Sequence, residues 1–265
     1  MNQPRLKGFL CASESLFRFP AFLFLVLAVV SGCAGDSSLQ QGEPEYYESR
    51  IIPETGVETR FYMGRQIGEL PPFEDSSIWL DRPDRDTEEL PLRLIRAMNL
   101  RSAMVVADVG AGTGYFTFQL AREVSSGRVM AVDVQPAMLD TVRARINREG
   151  IRNIQPVLGT SKDPGLAMNS VDRALIVASY HEFSHPREMI VHIAASLKEG
   201  GRLVIVEYRA EDGTIPVPDL HRMSLEQIQQ EIEAAGLIFR DSKDILPQQH
   251  FVVFEKPVVR EPGGS

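Results

Sequence analysis

The chain has 265 residues, 43% of them hydrophobic and 24% charged, and a formal net charge of −8. These are ordinary globular values, and the length suits one α/β domain with extensions. No cluster or stripe of Lys and Arg offsets the acidic balance, so no nucleic-acid partner is expected.

The N-terminus reads as an export leader. Arg5, Lys7 and Arg18 precede an apolar run over 21–30, too short to span a bilayer comfortably. Val30-Ser31-Gly32-Cys33 follows. It resembles a bacterial lipobox, in which small residues precede a cysteine that is lipidated and becomes N-terminal. The resemblance implies a lipoprotein-type signal peptide over 1–32 and a membrane anchor at Cys33. It also implies a cell-envelope location, on the periplasmic side of the outer membrane, since Ala34 is not the aspartate of inner-membrane retention. An unprocessed leader would leave the chain cytoplasmic. Cys11 and Cys33 are the two cysteines of the chain, so the body offers no internal disulfide.

Residues 33–59 are rich in Ser, Gln, Gly, Pro and Glu and predict a flexible tether, with Tyr46 and Tyr47 as local docking points. Residues 60–100 predict a helical lid segment. A turn at Trp79-Leu80-Asp81-Arg82-Pro83 leads to a helix opened by Asp84 or Asp86, carrying Leu90, Leu92, Leu94, Ile95 and Met98. It is expected over the C-terminal edge of the sheet, as part of a lid or as a packing helix only.

From 101 to 256 the elements alternate. Strands are predicted at 105–109, 128–133, 154–158, 171–178 and 202–207, with helices at 114–124, 136–149 and 186–197. Ser224 caps a further helix that runs to Ala235, with Gly236 just past its end. Two last strands, near 237–241 and 250–255, can pair as a hairpin. The pattern predicts a Rossmann-like α/β fold: a seven-stranded, mostly parallel sheet, helices on both faces, and the last strand antiparallel. Residues 257–265 are expected to be a disordered tail.

The most informative stretch is Val105-Val106-Ala107-Asp108-Val109-Gly110-Ala111-Gly112-Thr113-Gly114. An apolar strand ends in an acid, and glycines follow at every second position before a helix. Glycine permits the sharp turn and the close approach of a ligand to the backbone. The free amides of the helix start point into that turn. Dinucleotide sites use G-x-G-x-x-G, but here the third glycine comes one residue early and Tyr115 stands in its place. That spacing disfavours an NAD-dependent oxidoreductase. Some twenty residues on, Arg128-Val129-Met130-Ala131-Val132-Asp133 is a second strand ending in an acid, placed to accept bonds from two ribose hydroxyls or to cap the next helix.

The form D-x-G-x-G-x-G, with Asp133 in step, resembles motif I of class I S-adenosylmethionine (SAM) methyltransferases. The resemblance covers roughly 100–256. It implies SAM as cofactor, with Gly110, Ala111, Gly112 and Gly114 against its amino-acid part, Asp108 near its ammonium, and Asp133 with Val134 at the ribose. The loop after the third strand would reach the adenine. There the family often has Asp directly after glycine, whereas this chain has Thr160, so Asp163 or the backbone are alternatives.

Acceptor-facing residues of that family follow the fourth strand. Here the loop is Ser179-Tyr180-His181-Glu182-Phe183-Ser184-His185-Pro186. His181 or Glu182 can serve as general base if near enough to the acceptor; otherwise they hold the loop. Glu207-Tyr208-Arg209 and His221-Arg222-Met223-Ser224 are further lining candidates. The spacing of His181, His185 and His221 matches no standard zinc pattern, so no metal is expected. The loop, together with 201–208, looks like the bacterial group that includes ubiquinone/menaquinone-type methyltransferases. The expectation is a SAM-dependent methyltransferase (EC 2.1.1.-) acting on a small-molecule acceptor. The alternative is a non-catalytic ligand-binding lipoprotein that keeps the fold.

Overall fold

The computed structural model describes residues 46–258. The leader, the lipobox with Cys33 and most of the C-terminal tail lie outside the described residues. No helix among the described residues is long and apolar enough to cross a membrane.

The described chain opens with a small antiparallel sheet: β1 (Tyr47–Ile51), β2 (Glu58–Tyr62) and β3 (Arg65–Gln66). This corrects the tether expected over 33–59, whose last part is strand, and the wholly helical segment expected from 60. The reasons are local. Met63 and Gly64, at φ 49° and 87°, form the two-residue turn with positive φ that a tight hairpin needs. Tyr47 packs on Tyr62 with ring centroids 5.1 Å apart, and Tyr62 is fully buried. Tyr47 is one of the expected docking points; polar composition concealed the strands that carry it and Tyr62.

Three short helices follow: α1 (Phe73–Leu80), α2 (Arg85–Glu89) and α3 (Pro91–Ala97). The single helix expected here is broken at Leu90, which adopts φ 44°. Pro91 has no amide hydrogen to continue the preceding helix, and it starts α3 instead. Leu94, Ile95 and Met98 are buried, whereas Leu92 is exposed.

The main sheet comprises β4 (Val105–Val109), β5 (Arg128–Asp133), β6 (Ile154–Leu158), β7 (Val171–Val177), β8 (Leu197–Arg209), the two-residue β9 (Arg222–Met223), β10 (Ile238–Lys243) and β11 (Gln249–Glu255). The order across it is β10-β11-β8-β7-β4-β5-β6, with β9 beside the end of β8. Strands β4 to β8 are parallel, and β11 runs antiparallel to both β8 and β10. The fold is thus the mostly parallel α/β sheet with an antiparallel edge that the sequence predicts. Helices α4 (Tyr115–Glu123), α5 (Pro136–Glu149), α6 (Pro186–Ser196) and α7 (Leu225–Ala234) connect the strands.

Alternate strand residues serve opposite faces. Val106, Val129, Leu175, Val204 and Phe251 pack with Leu94 of α3, Phe118 and Leu120 of α4 and Val142 of α5. Ala107, Val132, Ala174, Ile176 and Ile205 pack with Ile190 and Ile193 of α6 and Ile228 and Ile232 of α7. Strand order reverses at β4, which has β5 on one side and β7 on the other. Crevices for ligands open at such a switch point, beyond the carboxyl ends of the strands.

Candidate cofactor and acceptor site

The glycine loop lies at that switch point. Gly110, Gly112 and Gly114 have φ of 77°, 54° and 90°, in the region that side chains disfavour. A Cβ on Gly110 would also stand 2.4 Å from Ser179 Oγ. The amides of Gly110 and Ala111 both donate to the Val132 carbonyl at 2.9 Å. The Gly112 amide donates to Asp133 Oδ2 at 2.9 Å, and Asp133 Oδ1 accepts from the Gln135 amide at 2.8 Å. The two signature strands are therefore tied by the loop itself. Burial raises the Asp133 pKa, against the lowering effect of its backbone hydrogen bonds. Each oxygen keeps a further lone pair for a ligand hydroxyl. Val134, beside it, is exposed.

Asp108 lies beneath the loop and is 3% exposed. Its Oδ2 accepts from Thr117 Oγ1 at 2.5 Å. Burial pushes its pKa up to about 6, against the Thr117 hydrogen bond and the positive charge of Arg85. A buried acid at the mouth of a glycine loop suits a cationic ligand group. Thr160 is already engaged: its Oγ1 accepts from the amides of Lys162 and Asp163, at 3.2 and 3.0 Å. Asp163 Oδ1 accepts from the Gly165 amide. What this loop offers an adenine is its shape and backbone.

The N-terminal segment covers the glycine loop. Leu80 Cδ1 stands 2.8 Å from where a Cβ on Gly112 would be. Thr113 Oγ1 donates to Asp81 Oδ1 at 2.9 Å, and Gln135 Nε2 donates to the Pro71 carbonyl. The cradle fits SAM in its donor and acceptor chemistry. It also presents Ser179 Oγ, buried and without a hydrogen-bond partner among the described residues. Leu80 is the group that must yield space over Gly112.

The candidate acceptor side lies on the loop after β7. Ala178 takes φ 45°, a strained value for a residue with a Cβ. The turn Tyr180–Glu182 is held from below by Glu207, fully buried near the end of β8. Glu207 Oε1 accepts from the amides of Ser179 and Tyr180 at 3.1 and 2.7 Å, and Oε2 lies 2.8 Å from His181 Nδ1. His181 Nε2 faces His221 Nδ1 at 2.9 Å, and Glu182 Oε1 lies 3.5 Å from each of those nitrogens. Burial opposes a charge on His181, but Glu207 and Glu182 together lift its pKa to about 9. Both ring nitrogens of His181 are engaged, Nδ1 with Glu207 and Nε2 with His221. Burial and the neighbouring His181 lower the pKa of His221.

The structure thus joins His181, Glu182, His221 and Glu207. His185 stands apart, its ring 6.3 Å from that of Tyr47 and its Nδ1 3.2 Å from Ser184 Oγ. Sequence reasoning missed the brace behind the loop. Arg65 of β3 donates to Glu231 of α7 through Nε and Nη2, at 2.7 and 2.9 Å, and to the His181 carbonyl through Nη1 at 3.1 Å. The Gly68 amide donates to the same carbonyl at 2.9 Å. The available signal was a glutamate on the apolar face of α7.

Residues 106–201 match the family model described as "Methyltransferase domain". The stretch is similar to that family over less than half of the chain. An uncharacterized methyltransferase of Mycobacterium tuberculosis is 37% identical over 105 residues, 40% of each chain. An aklanonic acid methyltransferase of Streptomyces is 31% identical over 114 residues, 42% of this chain and 51% of that one. This chain therefore spans about half or less of the length of these relatives. A SAM-dependent methyltransferase of Aquifex aeolicus has the same fold, with TM-score 0.66 and 23% identity over 71% of this chain and all of that one. The match to the methyltransferase family model implies SAM as cofactor. The match ends at Gly201, so β8 beyond that point, β9, α7 and the last hairpin complete the sheet outside the matched stretch.

Proposed function

We propose that this chain transfers the methyl group of SAM to a small-molecule acceptor held beside His181 and Glu182 (EC 2.1.1.-). The observation that carries this reading is the bond from the Gly112 amide to Asp133, which joins glycine loop and ribose-side acid into one cradle. Asp108 would face the SAM ammonium, Gly110, Ala111, Gly112 and Gly114 its methionine part, Asp133 and Val134 the ribose, and the Thr160 loop the adenine. Bound SAM supplies a reactive methyl group, so the protein's contribution is mainly alignment. His181 and Glu182 bound the acceptor side, at the carboxyl end of β7. Support for a small acceptor comes from the aklanonic acid relative and from the absence of a basic stripe. The likeness to the ubiquinone/menaquinone-type group rests on the 180–186 and 201–208 runs and does not name the acceptor. A non-catalytic scaffold is disfavoured by the intact cradle.

The test is a SAM titration of the full chain by calorimetry. Asp133→Ala removes the acceptor for the ribose hydroxyls and should cost about 1.5–3 kcal/mol, roughly a 10- to 150-fold rise in Kd. Circular dichroism must show the fold retained. Trp79, the sole tryptophan, is on α1 beside Leu80. SAM displacing Leu80 should therefore produce a saturable change in tryptophan fluorescence with the same Kd. An Asp133→Ala protein that binds SAM normally would sink the assignment of the site.

Anchoring at Cys33 in the cell envelope is part of the same proposal and rests on the lipobox sequence alone. Intact mass of the protein from a bacterial membrane fraction should show a lipidated chain starting at Cys33. A soluble, unmodified chain starting at Met1 would reject it and leave the enzyme where SAM is made.

A further inference from the structure

We infer that His181, Glu182 and His221 form a binding site for one divalent transition-metal cation, with open coordination positions for water or an oxygen-bearing ligand. Three donor atoms converge from two separate elements: His181 Nε2 and Glu182 Oε1 from the turn after β7, and His221 Nδ1 from the turn before β9. Their mutual distances are 2.9, 3.5 and 3.5 Å. Ligands about 2.0–2.1 Å from a common cation are separated by about 2.9–3.4 Å in octahedral or tetrahedral geometry. The triangle is thus close to ligand spacing before any cation enters. Glu182 Oε1 is equidistant from both nitrogens and too far from either for a good hydrogen bond, the place of a third ligand rather than of a bonded partner.

The shell behind the triangle has the matching form. A ligating imidazole usually presents its other nitrogen to a carboxylate, which fixes the ring and raises its basicity. His181 does so through Nδ1 to Glu207, whose other oxygen is locked by backbone amides. A cation in the triangle would replace the contact between His181 Nε2 and His221 Nδ1. Two imidazoles and a carboxylate select zinc, cobalt or ferrous ions over magnesium or calcium. Three protein ligands leave positions open, as in sites that bind and polarise a ligand oxygen rather than in closed structural sites. Access comes from the His221 side, where that side chain is 35% exposed. The long-range pairing of residues 181 and 221 is why spacing in the sequence gave no such pattern.

The site stands whether or not the chain transfers a methyl group, so its test uses metal binding and not activity. The full chain, stripped with chelator, is titrated with Zn²⁺ by calorimetry and with Co²⁺ by visible absorption. One ion per chain is expected, with cobalt bands characteristic of nitrogen and oxygen ligation. His221→Ala and Glu182→Gln should each weaken binding at least about 100-fold, while His192→Ala, a histidine outside the cluster, should bind as the parent does. Acetohydroxamate, a bidentate oxygen donor, should shift the cobalt bands by taking the open positions. Circular dichroism confirms the fold of each variant. No stoichiometric binding by the parent, or undiminished binding by a folded His221→Ala protein, overturns the site; unshifted bands with acetohydroxamate overturn its open positions.

Discussion

Arg65→Met should cost about 3–5 kcal/mol of folding stability, because it leaves the Glu231 carboxylate buried with its main counter-charge removed. Glu231 has no exposed side-chain surface, and Arg65 is 11% exposed. After the substitution Gln227 Nε2, 2.8 Å away, is a neutral partner that cannot replace the lost charge. A domain of this size has roughly 5–15 kcal/mol in total, so the loss is a large fraction. Urea denaturation should show it as a lower midpoint with an unchanged slope. Replacing both partners, Arg65→Met with Glu231→Leu, should recover most of the loss, because no buried charge is then left unpaired. A single variant that loses less than about 1 kcal/mol would show the pair to be solvated and the argument wrong. The effect extends to the site, since Arg65 Nη1 and the Gly68 amide together hold the His181 carbonyl. The small N-terminal sheet is thus a brace for the acceptor-side loop.

That brace was the part of the fold least legible in the sequence. The parallel core could be read because its strands carry apolar runs, and β4 and β5 lead into glycine or end in an acid. Helix α5 matches its predicted span since Pro136 starts it and Gly150, at φ 67°, ends it. The contact between the glycine loop and Asp133 was equally readable, because Asp108, the glycines and Asp133 lie within one β-α-β unit and local order alone places them. Residues brought together over long distances were not. Arg65 and Glu231 are 166 positions apart in sequence and His181 and His221 are 40 apart, so no local pattern pairs them. Glu207 appeared as one of several candidates at a strand end, and nothing local marked it as the acceptor for the amides of the next loop. The helix expected across Leu90 failed on Pro91, whose meaning as a first-turn residue was visible but not weighed against the leucine spacing. Met63-Gly64 is likewise a readable turn signal that polar flanking sequence obscured.

Asp108→Asn should make the protein's stability less dependent on pH, and the sign can be worked out. The Asp108 carboxyl has an ordinary value of 3.8 and is raised to about 6 in the folded chain, chiefly by burial. A raised carboxyl pKa means that the folded state holds the proton more tightly than the unfolded state. Its stabilising contribution is therefore complete below pH 4. It is lost as pH rises between about 4 and 6, and above that the buried charge costs about 2–3 kcal/mol. Asparagine cannot ionise. Whatever fixed cost its amide nitrogen brings, the difference between variant and parent should move by about 2–3 kcal/mol in the variant's favour from pH 4 to pH 7.5. At the size of this domain that is a relative shift in Tm of roughly 5–10 °C. Thermal melts of both proteins at the two pH values measure it directly, and parallel pH dependences would exclude an elevated Asp108 pKa. Such a costly buried charge is consistent with a positively charged ligand group nearby. Added SAM should then stabilise the parent more at pH 7.5 than at pH 4, and the variant by a smaller amount that changes less with pH. Equal stabilisation of both proteins would remove Asp108 from contact with the ammonium while leaving the ribose side of the cradle to be judged by Asp133.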